Sequence, residues 1–202
     1  MSTEKGGHTC MNYNSILYCD TANGIGCRTV LFVSGCRHHC KNCFNQSTWS
    51  FQSGKRFDQT KIDKILESLS PTYIDGLTIL GGEPMEPENQ PEILNLVQQV
   101  KKSYPNKTIW LYSGYTWEEI TGQTCLRKDL QHPQTGKSLS HTSYTNDILQ
   151  YIDILVDGEY QDAKRNICLE FRGSENQRII DVQKSIGQQE PVLSSYMKIK
   201  IT

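Results

Sequence analysis

The residues from Thr29 to Phe44 read TVLFVSGCRHHCKNCF, an apolar run followed by a cluster of cysteines. Its first six residues are largely apolar and rich in β-forming side chains, which is typical of a strand buried in a parallel sheet. Gly35 ends that run, and three cysteines follow within the next eight residues. The pattern therefore predicts a cysteine-rich loop at the carboxyl end of a buried strand, where parallel α/β proteins place their active sites.

Cys36, Cys40 and Cys43 have the spacing C-x3-C-x2-C, and no fourth cysteine follows at the distance expected of a metal ligand. A structural zinc ion needs four ligands, and an iron–sulfur cubane is usually held by four cysteines. A cubane held by only three cysteines keeps one iron open for a substrate. The spacing therefore favours a reactive iron–sulfur cluster over a closed structural metal site.

Two alternatives remain open on spacing alone. A zinc ion would need a fourth ligand, and His38 and His39 lie too close to the cysteines on either side to close a tetrahedron easily. We interpret both histidines as solvent-exposed residues of a turn. A thioredoxin-like pair would use Cys40 and Cys43 as a C-x-x-C motif, which leaves Cys36 without a role.

Outward from this stretch, apolar runs and helical periodicity alternate along the chain. The alternation predicts an α/β fold with a mostly parallel sheet and right-handed crossovers. The predicted strands are residues 29–34, 76–80, 108–112 and 152–156, and the predicted helices are residues 58–69, 91–103 and 147–151.

Three further loops are expected to meet the cysteine loop. The run GGEP at residues 81–84 follows the second predicted strand, Ser113 follows the third, and Asp157 follows the fourth. Because the carboxyl ends of parallel strands share one edge of a sheet, these loops converge. Two consecutive glycines let a ligand approach the backbone closely, and Glu83 is suited to receive an ammonium group.

The composition predicts a single domain of 202 residues. The 21 basic and 22 acidic residues nearly balance, and no apolar run approaches the ~20 residues that span a bilayer, so we expect neither a nucleic-acid nor a membrane partner. The first ten residues lack an apolar signal segment. We therefore expect a reduced, cytoplasmic protein in which the remaining cysteines are small buried residues or incidental thiols: Cys10, Cys19, Cys27, Cys125 and Cys168.

Two regions of the single domain, residues 1–202, are less clearly patterned. The polar stretch 122–146 predicts a long surface loop or insertion. The tail 183–202 is weakly patterned, and its residues 196–201 are compatible with a short edge strand or with disorder.

Several segments together resemble a known family. The three-cysteine spacing followed by GGEP at the next strand is similar to the radical S-adenosylmethionine superfamily. The likeness is more specific to the activating proteins of anaerobic (class III) ribonucleoside-triphosphate reductases, and it runs from about Met11 to Asp181 with an interruption in the polar stretch. The segments that carry it are NGIGCR at 23–28, CFNQSTW at 43–49, YSGY at 112–115, LVDG at 155–158 and FRGSENQR at 171–178.

The chain also departs from these patterns at three positions. Asn42 stands where many radical enzymes have an aromatic residue, Phe44 where this family often has tyrosine, and Glu83 where it often has aspartate. The change to Glu83 keeps the carboxylate.

The resemblance implies a partial, open TIM-like β/α barrel of the radical S-adenosylmethionine type. It implies that Cys36, Cys40 and Cys43 hold a [4Fe–4S] cluster whose open iron chelates the amino and carboxylate groups of S-adenosylmethionine. The implied cofactor contacts are Gly82 and Glu83 at the methionine end, Asn42 and Phe44 beside Cys43 at the nucleoside end, and Ser113 and Asp157 as weaker candidates. For Asp157, a turn residue before Gly158 is an almost equally good interpretation.

The implied activity is that of an oxidoreductase that generates a glycyl radical. Reductive cleavage of S-adenosylmethionine would give methionine and a 5′-deoxyadenosyl radical, which takes hydrogen from a backbone glycine of the large reductase subunit. A flavodoxin-like protein would donate the electron. The alternatives are an activase of another glycyl-radical enzyme, such as pyruvate formate-lyase, and a non-enzymatic zinc-binding module. We expect Trp49 and residues 172–174 to contact the partner or to frame the pocket.

Overall fold

The computed structural model describes residues 11–123 and 138–198. The strands in these residues are β1 Asn12–Asp20, β2 Cys27–Val33, β3 Lys55–Arg56, β4 Ile74–Gly81, β5 Thr108–Tyr112, β6 Ile154–Asp157 and β7 Arg178–Asp181. The α-helices are α1 Gln59–Leu69, α2 Gln90–Ser103, α3 Trp117–Ile120, α4 Thr145–Leu149 and α5 Val182–Gln188. Short 3-10 helices cover Gln46–Thr48, Asp162–Lys164 and Ser195–Lys198.

The strands form one seven-stranded sheet in the order β3-β1-β2-β4-β5-β6-β7. The four central strands, β2, β4, β5 and β6, pair in parallel, and they are the four strands that the sequence predicts. The outer strands β1, β3 and β7 pair antiparallel with their neighbours. The predicted α/β class with a parallel centre is therefore confirmed, and no pairing between β3 and β7 closes the described strands into a barrel.

The sequence does not predict these three outer strands, because their apolar pattern is weak. β1 has exposed positions along its second half, so it lacks the continuous apolar run of a central strand. β3 is only two residues long, and β7 has the short sequence RIID. Outer strands of a sheet need less burial than central strands, so periodicity identifies them poorly.

The helices cover one face of the sheet, and loops cover the other. On the helical face, alternate strand residues such as Ile109 and Leu111 pack with Ile62 and Ile65 of α1 and Val97 of α2 in one large apolar cluster. The predicted start of α1 is confirmed, because the Asp58 side chain accepts a hydrogen bond from the Lys61 backbone.

The opposite face carries a smaller cluster centred on Trp110, and this face is open enough to hold a cavity. The Phe171 ring lies 5.3 Å from the Trp110 ring, edge to face, and the Tyr196 ring lies 5.5 Å from it in a stacked arrangement. Tyr196 belongs to a 3-10 helix, so the predicted edge strand is wrong for residues 196–198, and residues 199–201 lie outside the described residues.

The polar stretch 122–146 packs against the protein where the structure describes it. Ser140 and Thr145 are fully buried, and Gln90 of α2 donates to the Ser140 carbonyl at 2.7 Å while accepting from Thr145 at 2.9 Å. The prediction of a surface loop is therefore wrong for Ser140 and Thr145, whereas Ser143, Tyr144 and Asn146 are exposed as predicted. Residues 124–137 lie outside the described residues.

The scattered cysteines differ from the prediction in one respect. Cys19 in β1 and Cys27 in β2 lie with their sulfur atoms in contact, and neither residue is fully buried. Cys168 is a free, exposed thiol, whereas Cys10 and Cys125 lie outside the described residues. In the part of the chain that the structure describes, no helix has the length and apolar character needed to cross a membrane.

Candidate active site

The cysteine loop leaves β2 and is anchored to the segment that follows it. The Gly35 and Cys36 backbone N–H groups donate to the carbonyls of Thr48 and Trp49 at 2.8 and 2.9 Å. Gly35 has φ +94°, and a Cβ atom there would lie 2.3 Å from the Phe51 ring, so only glycine fits this turn. The loop therefore starts in a fixed direction at the carboxyl end of the strand.

The three cysteine thiols are free and line one cavity of about 770 Å³. Cys36 is buried, and Cys40 and Cys43 are partly exposed. Burial raises the pKa of Cys36 to about 12, and burial together with the nearby Glu159 raises the pKa of Cys40 to about 12. Without a bound metal these two thiols are protonated at neutral pH, and a metal centre would replace their protons.

The GGEP loop lies directly against the cysteine loop. The Gly82 N–H donates to the Val33 carbonyl at 2.8 Å, and the Glu83 N–H donates to the Gly35 carbonyl at 2.7 Å. A Cβ atom at Gly82 would lie 2.5 Å from the Gly35 oxygen. The second glycine is therefore required for the contact between the two loops, a reason that differs from the ligand approach expected from the sequence.

Arg37 joins the same two loops through its charge. Its backbone N–H donates to Glu86 at 2.8 Å, and its guanidinium forms ion pairs with Glu86 and Glu88 at 2.5 Å. Hydrogen bonds from this guanidinium lower the pKa of the Glu88 carboxyl. This clamp holds the cysteine loop beside the GGEP loop whatever the cavity contains.

The Glu83 carboxylate lies at the centre of a hydrogen-bond network. It accepts hydrogen bonds from the Ser113 hydroxyl at 2.8 Å, the Gly114 N–H at 2.6 Å and the Met85 N–H at 2.8 Å. The His38 Nε2 atom lies 3.1 Å from the same carboxylate. We call these five residues the Glu83 network. The network supplies hydrogen bonds to a carboxylate that is almost fully buried.

His38 is the clearest correction at the site. Its side chain is only 2% exposed and its ring packs edge to face against Tyr115 at 4.5 Å. The prediction of an exposed turn residue is therefore wrong for His38, although His39 is exposed and stacks on Trp49. The spacing of the cysteines carries no signal of this, because Tyr115 and Glu83 come from two other strand ends.

The structure brings most of the predicted cofactor residues to the cavity. Asn42 donates to Asp162 at 2.9 Å and adopts φ +57°, and Phe44 is 98% exposed at the cavity mouth. Ser113 reaches the cavity beneath the Glu83 carboxylate. The predicted residues that line it are Asn42, Cys43, Phe44, Gly82, Glu83 and Ser113, in addition to Cys36 and Cys40.

Asp157 is the predicted residue that the structure places elsewhere. It is fully buried, and its carboxylate binds Arg178 at 2.5 Å and the Trp117 N–H at 2.7 Å. Arg178 also pairs with Glu118 at 2.7 Å, and its hydrogen bonds lower the pKa of the Glu118 carboxyl. These contacts tie β6 and β7 to α3, and Asp157 is not part of the cavity lining among the described residues.

A second wall of the cavity was not identified from the sequence as a unit. It consists of Tyr112, Glu170 and Arg172, which we call the Tyr112 face. Each has one buried polar atom with no hydrogen-bond partner among the described residues, namely Tyr112 Oη, Glu170 Oε2 and Arg172 Nε. Of the three, only Arg172 belongs to the segment that the sequence predicts to contact the partner or to frame the pocket.

The three free thiols match the donor set of a multi-iron centre. Within residues 11–123 and 138–198, no three side chains from histidine, cysteine, aspartate or glutamate are arranged to hold one metal ion. The ligands of a cubane attach to different irons and need not converge on one point. Three free thiols around one cavity, with space beyond them, match the donor set that such a cluster requires.

Comparisons with known proteins agree with this donor set. A family model described as "4Fe-4S single cluster domain" matches residues 22–180. The anaerobic ribonucleoside-triphosphate reductase-activating protein of Vibrio cholerae is 44% identical over 171 residues, which cover 84% of this chain and 97% of the relative. The chain belongs to this family of activating proteins.

Other members support the same membership. The activating protein of Enterobacteria phage T4 is 41% identical over 169 residues, covering 84% of this chain and 93% of the phage protein. The protein of Escherichia coli K12 is 36% identical over 169 residues, covering 83% and 96% of the two chains. The resemblance seen in the sequence motifs is therefore confirmed over nearly the whole length of the relatives.

Proposed function

We propose that this protein activates an anaerobic ribonucleoside-triphosphate reductase by generating a glycyl radical on its large subunit. The observation that carries the proposal is the meeting of three free cysteines and the GGEP loop at one cavity. Membership of the activating-protein family supplies the reaction class and the partner.

Cys36, Cys40 and Cys43 hold the [4Fe–4S] cluster in this proposal. When bound, the cluster supplies the electron that cleaves S-adenosylmethionine, so that hydrogen can be taken from a glycine of the reductase. The chain's own contribution is to keep the three thiols around one cavity. The hydrogen bonds from Gly35 and Cys36 to the following segment, and the Arg37 clamp, fix the loop for that purpose.

Gly82 and Glu83 bind the methionine end of S-adenosylmethionine. Gly82 lines the cavity beside Glu83, and the negative charge of Glu83 attracts the ammonium group. Because Ser113, Gly114 and Met85 already donate to this carboxylate, it is held in place before the cofactor arrives. Ser113 therefore acts through Glu83.

Asn42 and Phe44 contact the nucleoside end. Both flank Cys43 and line the cavity, and the exposed Phe44 ring offers a flat apolar surface to a purine. The geometry gives no support to a cofactor contact from Asp157, whose carboxylate is occupied by Arg178 and α3.

The proposal also includes the type of barrel, the electron donor and the cellular location. The open sheet, with four parallel strands and the cysteine loop at their carboxyl ends, is compatible with a partial TIM-like barrel of the radical S-adenosylmethionine type. A flavodoxin-like electron donor and a cytoplasmic location suit a low-potential cluster that must be reduced before each turnover.

The test is cleavage of S-adenosylmethionine by the anaerobically reconstituted, dithionite-reduced protein. We expect a brown protein that releases 5′-deoxyadenosine and, with the reductase, produces a glycyl radical in the electron paramagnetic resonance spectrum. A colourless zinc protein without 5′-deoxyadenosine would refute the proposal. A radical on pyruvate formate-lyase but not on the reductase would favour the alternative activase.

A further inference from the structure

The Tyr112 face contains polar atoms that a folded protein normally pairs. Tyr112 Oη, Glu170 Oε2 and Arg172 Nε are buried without a hydrogen-bond partner among the described residues, and all three residues line the cavity. Buried polar groups without partners are rare because they lose their hydration and gain nothing in return. Three of them around one cavity are positions where a bound group can supply the missing partners.

Phe171, between two of these residues, shows how far the cavity extends over the sheet. The Phe171 ring packs on Trp110 of β5, and the Asn23 carbonyl accepts a hydrogen bond from Thr78 of β4. The loops that contain Phe171 and Asn23 therefore lie over the middle of the sheet. Trp110 lies three residues before Ser113, which directly follows β5, and Thr78 lies three residues before Gly81, the last residue of β4. Three residues of a strand span about 10 Å, so the cavity extends along the open sheet face away from the cluster ligands.

The chemistry of the three atoms fits a polypeptide main chain. The Glu170 oxygen accepts a hydrogen bond, the Arg172 Nε–H donates one, and the Tyr112 hydroxyl does both. An extended peptide presents N–H and C=O groups alternately and so satisfies both kinds of partner. Ile167, which also lines the cavity, is 76% exposed, as expected of a rim that a protein surface covers.

Arg172 and the segment around it are held ready for this contact. The two terminal nitrogens of Arg172 donate to the carbonyls of Gln177 and Met197 at 3.1 and 3.2 Å, which leaves Nε as the unpaired donor. The Gln177 side chain in turn accepts from the Gly173 N–H at 2.8 Å. Arg172 is therefore held in place, and its Nε–H is still available to a bound group.

We propose that Tyr112, Glu170 and Arg172 form the subsite that binds the main chain of the reductase segment carrying the reacting glycine. This proposal rests on the proposed function and adds the residues that recognise its protein substrate. The subsite places that segment along the open sheet face, beside the part of the cavity where the cofactor binds.

The test separates binding of the reductase from binding of S-adenosylmethionine. Glu170→Gln and Tyr112→Phe are made in the reconstituted holoprotein, with Glu175→Gln and Tyr73→Phe as controls at exposed positions. Two quantities are measured for each variant. One is the rate of 5′-deoxyadenosine release without the reductase as S-adenosylmethionine is varied, and the other is the glycyl-radical signal as the reductase concentration is varied.

We expect each of the two variants to raise the half-saturating reductase concentration about tenfold, which corresponds to about 1.4 kcal/mol. The KM for S-adenosylmethionine in the uncoupled reaction stays at the wild-type value, and both controls behave as wild type. The Tyr112→Phe/Glu170→Gln double variant weakens reductase binding further than either single variant.

Two results would overturn the subsite. If neither variant differs from its control, the cavity atoms are satisfied by water alone. If the variants raise the KM for S-adenosylmethionine without the reductase, the Tyr112 face belongs to the nucleoside. Failure of the wild-type protein to release 5′-deoxyadenosine is a different outcome, because it refutes the proposed function itself and removes the basis of the subsite.

Discussion

The Glu83 network and the Tyr112 face lie at the same cavity, but the buried polar atoms are hydrogen-bonded in the network and unpaired on the face. In the network, a buried carboxylate accepts hydrogen bonds from Ser113, Gly114 and Met85 and lies beside His38. On the Tyr112 face, three buried polar atoms have no partner in the described chain. A binding surface whose polar atoms are already hydrogen-bonded within the protein has a fixed geometry, which suits a small cofactor. An incomplete surface suits a partner that brings its own hydrogen bonds.

The largest expected effect comes from removing a cluster ligand, which tests whether the cysteine side of the cavity holds the cofactor. Cys40→Ala leaves two thiolates, too few to keep the cluster, so we expect loss of the brown chromophore and of all glycyl-radical formation. Visible absorbance and iron content of the anaerobically purified protein measure this. Cys168→Ser, at an exposed free thiol, is the control and should retain both; a Cys40→Ala protein with a normal chromophore would contradict the assignment.

The next effect is on stability, and it tests the completeness of the Glu83 network. Glu83→Gln replaces an acceptor by an amide whose NH₂ group faces existing donors, and we expect the free energy of unfolding to fall by about 3 kcal/mol. Urea unfolding measures it. The control is Glu88→Gln, where the ion pair with Arg37 is partly exposed and should contribute at most about 1 kcal/mol. If the free energy of unfolding fell equally in the two variants, the Glu83 network would contribute no more to stability than a partly exposed ion pair.

Two neighbouring residues allow the sharpest direct comparison. Ser113 donates to Glu83 and accepts from the Tyr115 N–H at 3.1 Å, so Ser113→Ala should lower the free energy of unfolding by about 2 kcal/mol. Tyr112→Phe removes a hydroxyl that has no partner, and its effect on stability should stay within about 0.5 kcal/mol. Chemical unfolding of the two variants side by side checks this, and the reverse order would invalidate the comparison.

The smallest effect is a pH dependence outside the cavity, at the ion pair that ties β7 to α3. Hydrogen bonds from Arg178 lower the pKa of Glu118 below its usual value of 4.5. A lowered pKa in the folded state means that the pair stabilises the protein above pH 4.5 and loses this contribution as the pH falls through the folded pKa. We expect Glu118→Gln to destabilise the protein at pH 6 more than at pH 3.5. Urea unfolding at both values measures the difference, which should vanish if the pair contributes nothing.

Sequence periodicity was sufficient for the central part of the fold. The run at 29–34 and the run at 108–112 are continuous apolar stretches, and both are central strands of the observed sheet. β1 and β7 were missed because β1 is at least partly exposed along most of its length and β7 has only four residues, so both leave a weak apolar pattern. The buried part of the polar stretch was missed for a similar reason, since Ser140 and Thr145 are buried by hydrogen bonds to Gln90 rather than by apolar character.

The sequence alone determined the donor set of the site, because the three cysteines lie within eight residues of one another and local spacing restricts which atoms can meet. It also determined that the GGEP loop follows a neighbouring strand. Only the tertiary structure decided the partners of individual side chains. His38 is buried against Glu83, 45 residues away, and Asp157 binds Arg178, 21 residues away. Such pairings depend on which loops the fold brings together, and no local pattern in the chain records them.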